Sequence, residues 1–193
     1  MTDTSEDARV ARTRGDVSRA ALEVLTKQRW DAVSHAHIAR VAGYSKTTLY
    51  THWPSKIDLV GLALDALGDM PHSVPTGDIR TDLINELRAF RSAVVDIKLD
   101  RILIVLAQWG TSVEEIAEFR TRLIADGEGV ARAMFARIAD DVVAESAIHL
   151  LSGVVVCPAL MHGQVPDDKV IETSVDIILG GIEAAQGRSN SSS

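Results

Sequence analysis

A single cysteine, Cys157, stands among the 193 residues, so no disulfide can close within the chain. It follows the apolar run Val154, Val155 and Val156, where a buried, inert thiol is expected rather than a reactive one. Aromatic side chains make up only 4% of the sequence while Ala, Val, Ile and Leu are plentiful, a balance that speaks against a β-sandwich and for helices. No segment reaches the roughly eighteen unbroken apolar residues of a membrane span. The nearest, Leu150 to Met161, is interrupted by Ser152, Gly153 and Pro158. Residues Met1 to Asp7 are polar and acidic, unlike a secretory leader. The expectation is a cytoplasmic protein that does not engage a membrane. Metal-ligand spacing is also missing: His149 and His162 lie thirteen apart, with no cluster of Cys or carboxylates around them, so no metal site is expected. No Ser/His/Asp order, phosphate loop or paired-carboxylate site has supporting context. Gly110, Thr111 and Ser112 stand alone, and Asp140 with Asp141 reads as charge near a helix start. No catalytic residue is assigned, and the chain is not expected to be an enzyme.

Net charge is −7, which by itself disfavours a nucleic-acid binder. Its distribution reverses that reading. Residues 9–56 hold nine Lys/Arg against three acids, Asp16, Glu23 and Asp31, whereas residues 57–193 hold eleven against twenty-one. A basic head on an acidic body is a footprint of local phosphate contact.

What is present is helical periodicity throughout. Val17, Ala20, Ala21, Val24 and Leu25 fall on one stripe of a first helix. Ser34 is placed to cap a short helix that Gly43 ends, and Ser45 to cap another from Lys46 to about Thr51. Trp53, Pro54 and Ser55 break the chain before a fourth helix from Lys56 to about Gly68. Asp69 to Gly77, with Pro71 and Pro75, reads as a loop. Beyond it, Leu83, Leu87, Phe90 and Val94 space a fifth helix, and residues 99–109 are apolar on most sides, as in a helix buried all round. A long helix follows from Glu114 to about Ile138. Another runs from Asp141 to the Cys157–Pro158 region. A last one starts at Pro166 to Asp168, with Ile171, Val175, Ile178, Leu179 and Ile182 on one face. The fold class is therefore all-α, with about nine helices. Residues 1–8 and 187–193 are expected to be disordered, the latter as a flexible tail.

Residues 34–56 carry the functional signal. Two short helices are joined by Ala42, Gly43 and Tyr44, small Ala39 and Ala42 permit close approach, and Ile38, Val41 and Leu49 supply a shared core. The outer face offers hydroxyls (Ser45, Thr47, Thr48), a phenol (Tyr50), an imidazole (His52) and ammonium groups (Lys46, Lys56). A second helix with exposed polar residues at its start has the geometry that enters a DNA major groove. His35 and His37 remain open between solvated side chains and DNA contacts, and Trp53 is expected to pack.

This stretch resembles the tetracycline-repressor (TetR) family of transcriptional regulators. The resemblance rests on Ile38 to Gly43, Ser45 and Lys46, Thr48 to Tyr50, His52 and Trp53, and Pro54 to Lys56. It extends back over Arg19 to Leu22 and forward to Leu59, and more weakly to Val175 to Gly181. The resemblance implies a helix-turn-helix DNA-binding domain over 9–56 and a helical regulatory and dimerisation domain over 57–186. It implies phosphate contacts from Tyr50, His52 and Lys56, backbone contacts from Ser34 and Thr48, and base-facing positions for Lys46 and Thr47 with Tyr44 at the edge. Lysine can donate to guanine, and the threonine methyl can meet a thymine methyl. Arg29 departs from the family, which usually has glycine at this turn; a left-handed arginine costs on the order of 1 kcal/mol.

The resemblance further implies a homodimer through the last two helices, a palindromic double-stranded operator and release by a small-molecule effector whose identity is unknown. Residues 142–160 and 170–182 carry more apolar surface than a surface helix needs, and Gly153, Gly180 and Gly181 permit close contact, which fits such a dimer. Candidate pocket residues are Phe90, Leu106, Trp109, Phe119, Leu123 and Met134, with Arg101 and Gln108 as polar groups to orient a ligand. The competing reading is a helical dimeric protein-interaction module with lost or weak DNA binding.

Overall fold

The computed structural model describes residues 3–28 and 30–190, with side chains from residue 8 to residue 188, Arg29 excepted. The expected effect of Arg29 on its turn lies outside the described residues. Among these residues the chain forms nine α-helices and a single 3-10 turn, Trp30–Ala32, with no strand. The helices are α1 (Asp3–Gln28), α2 (His35–Ala42), α3 (Lys46–His52), α4 (Lys56–Asp65), α5 (Ile79–Asp96), α6 (Leu99–Trp109), α7 (Glu114–Phe135), α8 (Asp141–His162) and α9 (Asp168–Asn190).

Contacts divide the chain into two compact units. The first runs to Gly68 and also takes residues 101–120; the second comprises 69–100 and residues from Thr121 onward. In the first unit α1 packs on α4 and α2, and α2 on α3. The stripe read on α1 is the core: Val17, Ala21, Val24 and Leu25 are fully buried, with Ile38, Leu49, Leu59 and Val60 facing them. Apolar residues at helical spacing form these helices because one face can then be removed from water. The unit thus holds α4 and most of α6 beyond the Lys56 boundary drawn from the sequence.

In the second unit α5, α8 and α9 pack against one another. Ile171, Val175, Ile178 and Ile182 of α9 are buried as their spacing requires, with Ala147, Ile148, Leu151 and Val155 of α8. The segment between α4 and α5 has no regular structure, and buried carboxylates hold it. Asp82 accepts from the Thr76 amide (2.7 Å), the Thr76 hydroxyl (2.6 Å) and the Gly77 amide (3.1 Å). Glu86 accepts from the Ser73 amide and hydroxyl and pairs with His72.

Several expectations need correction. Residues 3–8 are helical and extend α1, and residues 187–190 are helical and extend α9. Pro158 does not end α8. The helix continues to His162, where left-handed Gly163 closes it, because a proline within a helix forfeits one hydrogen bond without forbidding the backbone. Cys157 is exposed, not buried: Val155 faces the core, and Cys157, two residues further along α8, falls on another side of the helix. α6 is not buried all round: Ile104, Ala107 and Gln108 are exposed. α8 is the one described helix long and apolar enough to cross a membrane by length and composition.

Candidate nucleic-acid interface

The site grows from two caps. The Ser34 hydroxyl accepts from the His37 amide at 3.3 Å and starts α2. Gly43, with φ of 78°, ends it in a conformation that costs a glycine nothing. The Ser45 hydroxyl accepts from the Thr48 amide (3.0 Å) and lies 2.7 Å from the Thr48 hydroxyl, which starts α3 and ties the Thr48 side chain to the cap. Ser55 and Asp58 form a reciprocal capping box at the start of α4. A helix of seven residues such as α3 does not persist by propensity alone. It persists because Leu49 is fully buried where α3 packs on α2, with both ends fixed.

Burying Leu49 turns the opposite face outward. Lys46, Thr47, Thr51 and His52 are exposed, and Tyr50 is 46% exposed. The Lys46 ammonium lies 5.4 Å from the centre of the Tyr50 ring. Tyr50 is also held by His35, whose ring stacks on it at 3.8 Å, nearly parallel at 8°. His35 is buried and its Nε2 is 2.6 Å from the Trp53 carbonyl oxygen. His35 is therefore not a solvated side chain; it packs against the tyrosine ring. Val41 also differs from expectation, being exposed rather than part of the shared core.

Ser34 is exposed beside α2, and Thr48 is half-buried through its tie to Ser45. Tyr44 is half-buried, and its hydroxyl donates to Asp16 of α1 at 2.9 Å; Asp16 also pairs with Arg19. Lys56, at the start of α4, is half-buried with its ammonium 4.2 Å from the centre of the Trp30 ring. Burial lowers its pKa from the ordinary lysine value, and Asp31 opposes that in part. Beside α3 a surface groove of about 470 Å³ is lined by Arg9, Arg12 and Thr13 of α1 together with Tyr44, Thr48, His52 and Trp53. The face thus presents an ammonium, hydroxyls, a phenol and an imidazole on one short helix, with a groove lined by two arginines along its side, which suits phosphate and base edges.

Sequence reasoning missed the supporting residues His35, Asp16 and Trp30. Of these, only Trp30 carried a signal, as an aromatic in an otherwise aromatic-poor chain. The ligand candidates are divided between the units. Arg101, Leu106, Gln108, Trp109 and Phe119 belong to the first, and Phe90, Leu123 and Met134 to the second. Leu106 and Leu123 are buried, Phe90, Trp109, Phe119 and Met134 half-buried, and Gln108 exposed. Arg101 donates to the Thr26 carbonyl oxygen near the end of α1, so its guanidinium is engaged within the protein. Asp140 accepts from the Val143 amide at 3.0 Å and caps α8, the helix-start role read from its sequence.

Comparison with known proteins places this geometry. Residues 18–62 match the family described as bacterial regulatory proteins, tetR family. A DNA-binding transcriptional repressor TetR from Mycobacteroides abscessus is 38% identical over 73 residues, covering 37% of this chain and 38% of that protein. The match therefore spans well under half of that repressor's length. Among solved structures, a TetR family transcription regulator aligns over 88% of this chain and 98% of its own, with 29% identity and a TM-score of 0.60. A transcriptional regulator from Rhodococcus sp. Rha1 shares the fold over 89% of this chain and 96% of its own, at 18% identity and a TM-score of 0.67. A protein named flavonoid-responsive regulator FrrA shares it over 91% and 97%, at 23% identity and a TM-score of 0.58.

Proposed function

We propose that this chain, which belongs to the tetR family of bacterial regulatory proteins, is a repressor that binds a palindromic DNA operator as a homodimer and is released by a small molecule. The observation that carries the reading is the outer face of α3. Its core residue Leu49 is fully buried, which leaves Lys46, Thr47 and Tyr50 pointing away from the protein on a helix capped by Ser45. Lys46 and Thr47 are assigned to base edges and Tyr44 to their margin. Ser34, Thr48, Tyr50, His52 and Lys56 are assigned to the phosphate backbone, the last five contacts fixing register and the first two reading sequence.

The dimer is assigned to α8 and α9. Leu150 is 62% exposed, Met161 72% and Ile177 69%. Leu150, Cys157 and Met161 recur at seven and four residues, and so do Val170, Ile177 and Gly181, which puts each trio on one helical stripe. Apolar stripes of this kind facing water mark an interface. A twofold pairing through them would present two copies of α3 to successive major grooves. The effector is unidentified; the named response of a fold relative to flavonoids supports a small organic molecule. A cytoplasmic location belongs to the same reading.

The test is selection of duplexes from a random-sequence pool by the wild-type protein and by Lys46→Ala/Tyr50→Phe. Enrichment of a palindrome by the wild type alone supports the reading. Equal enrichment by both proteins removes the assigned face, and no enrichment by either favours a protein-interaction module.

A further inference from the structure

Lys56, Trp30 and Trp109 form a continuous stack within the first unit. The Lys56 ammonium sits 4.2 Å from the centre of the Trp30 ring. The Trp30 ring in turn lies 5.0 Å from that of Trp109, tilted by 31°. These three residues come from the start of α4, the 3-10 turn after α1 and the last position of α6. Two of the chain's three tryptophans are thus spent on holding one lysine. A lysine over an indole keeps its ammonium in place without using up its N–H donors, because the ring face attracts the charge as a whole. The part of Lys56 not covered by Trp30 remains free to donate to an anion.

The Trp109 end is not fixed by hydrogen bonding. Its indole Nε1 is buried and has no acceptor, an arrangement that costs about 1–3 kcal/mol for a buried donor. The ring is therefore held by packing against Trp30, while its backbone carbonyl secures the turn after α6 through the Ser112 and Val113 amides. Earlier on α6, Arg101 anchors the helix to the Thr26 carbonyl of α1.

We infer that Trp30 and Trp109 are positioning residues for DNA binding, with Trp109 at the end of α6 setting the place of Trp30 and Trp30 setting the place of the Lys56 ammonium against a DNA phosphate. The inference rests on the reading of this unit as a DNA-binding module. It adds a physical route by which the end of α6 controls one phosphate contact. A shift of Trp109 releases Trp30, and a released Trp30 lets the lysine side chain spread over its rotamers, whose ordering must then be repeated on binding.

The experiment measures affinity for a duplex selected by the wild-type protein, across a series of salt concentrations, for Trp109→Leu, Trp30→Leu, Trp109→Phe, Lys56→Ala and Trp109→Leu/Lys56→Ala. Loss of a cation–π anchor predicts a fall of about three- to thirtyfold for each leucine variant, with Trp109→Phe close to the wild type. Lys56→Ala should lower the salt slope by about one per subunit. Trp109→Leu should lower it in the same direction, which a general loss of stability would not do. The double variant should lose little beyond Lys56→Ala alone, since both changes remove the same contact. Trp30→Leu changes no residue of α6 itself and is read beside Trp109→Leu, so that a folding defect in one does not decide the result. Leucine variants with the wild-type slope, or losses that add fully in the double variant, overturn the inference while leaving the DNA-binding reading intact. Absence of binding by the wild type overturns both.

Discussion

His72 shows how single side chains govern this molecule's response to pH. Its Nδ1 lies 2.8 Å from Glu86 and its Nε2 3.9 Å from Asp126. The hydrogen bond to Glu86 raises its pKa above the ordinary histidine value, with Asp126 adding to the effect and partial burial opposing it. A raised folded-state pKa means that protonated His72 stabilises the fold fully below the unfolded value of about 6.5. That contribution is lost as pH rises through the raised value. Thermal midpoints of the wild type should therefore fall relative to those of His72→Ala as pH rises above about 6.5. Parallel curves would mean that the pair carries no linkage. At this scale the sequence was legible where chemistry is local and opaque where it is tertiary. Ser34, Ser45 and Ser55 cap the helices they precede in sequence. Nothing in the neighbourhood of His35 signals that it will be buried under Tyr50, a contact across fifteen residues.

Among the elements, α3 is the one whose integrity matters most, and its seven residues depend on its cap. Ser45→Ala removes the acceptor for the Thr48 amide and is expected to cost about 1 kcal/mol in thermal unfolding. Operator affinity should fall with it, because Lys46 and Thr47 lie in the affected turn. An unchanged midpoint would mean that Leu49 alone holds the helix. The link between α5 and α6 offers the opposite change. Lys98 adopts a left-handed backbone, with φ of 56°, a conformation that costs a non-glycine residue about 1–2 kcal/mol. Lys98→Gly should raise the thermal midpoint, unless the lysine's own bond to the Val95 carbonyl at 2.6 Å outweighs the strain, which a lower midpoint would reveal. Most helices were legible as elements because periodicity and caps agree. α8 was shortened by taking Pro158 as a stop, and the end of α9 was lost because its composition resembles a tail. The tie near the end of α9 is remote in sequence: Gln186 donates to the Ile138 carbonyl oxygen across forty-eight residues.

For the whole molecule, the division of charge was visible before any fold, and the basic head coincides with α1 to the start of α4. What patterning could not separate was a helix face turned to the core from an apolar face left exposed. Cys157 illustrates this: apolar neighbours suggested a core position, yet it is exposed on α8. The proposed dimer interface would account for both facts, since homodimer interfaces are more apolar than the rest of a protein surface. Leu150→Asp/Ile177→Asp should shift the molecular mass in solution from dimer to monomer by light scattering, with secondary structure retained. It should also weaken operator binding by far more than any single contact on α3, because both half-sites must be held together. A double variant that stays dimeric would place the interface elsewhere.

The most direct test of the account is fluorescence anisotropy of a labelled, selected duplex at two salt concentrations with excess random DNA as competitor. The account predicts tight binding that survives the competitor and weakens steeply as salt rises, through the release of counterions from several phosphate contacts. Binding that is absent even from random DNA at low salt would contradict it.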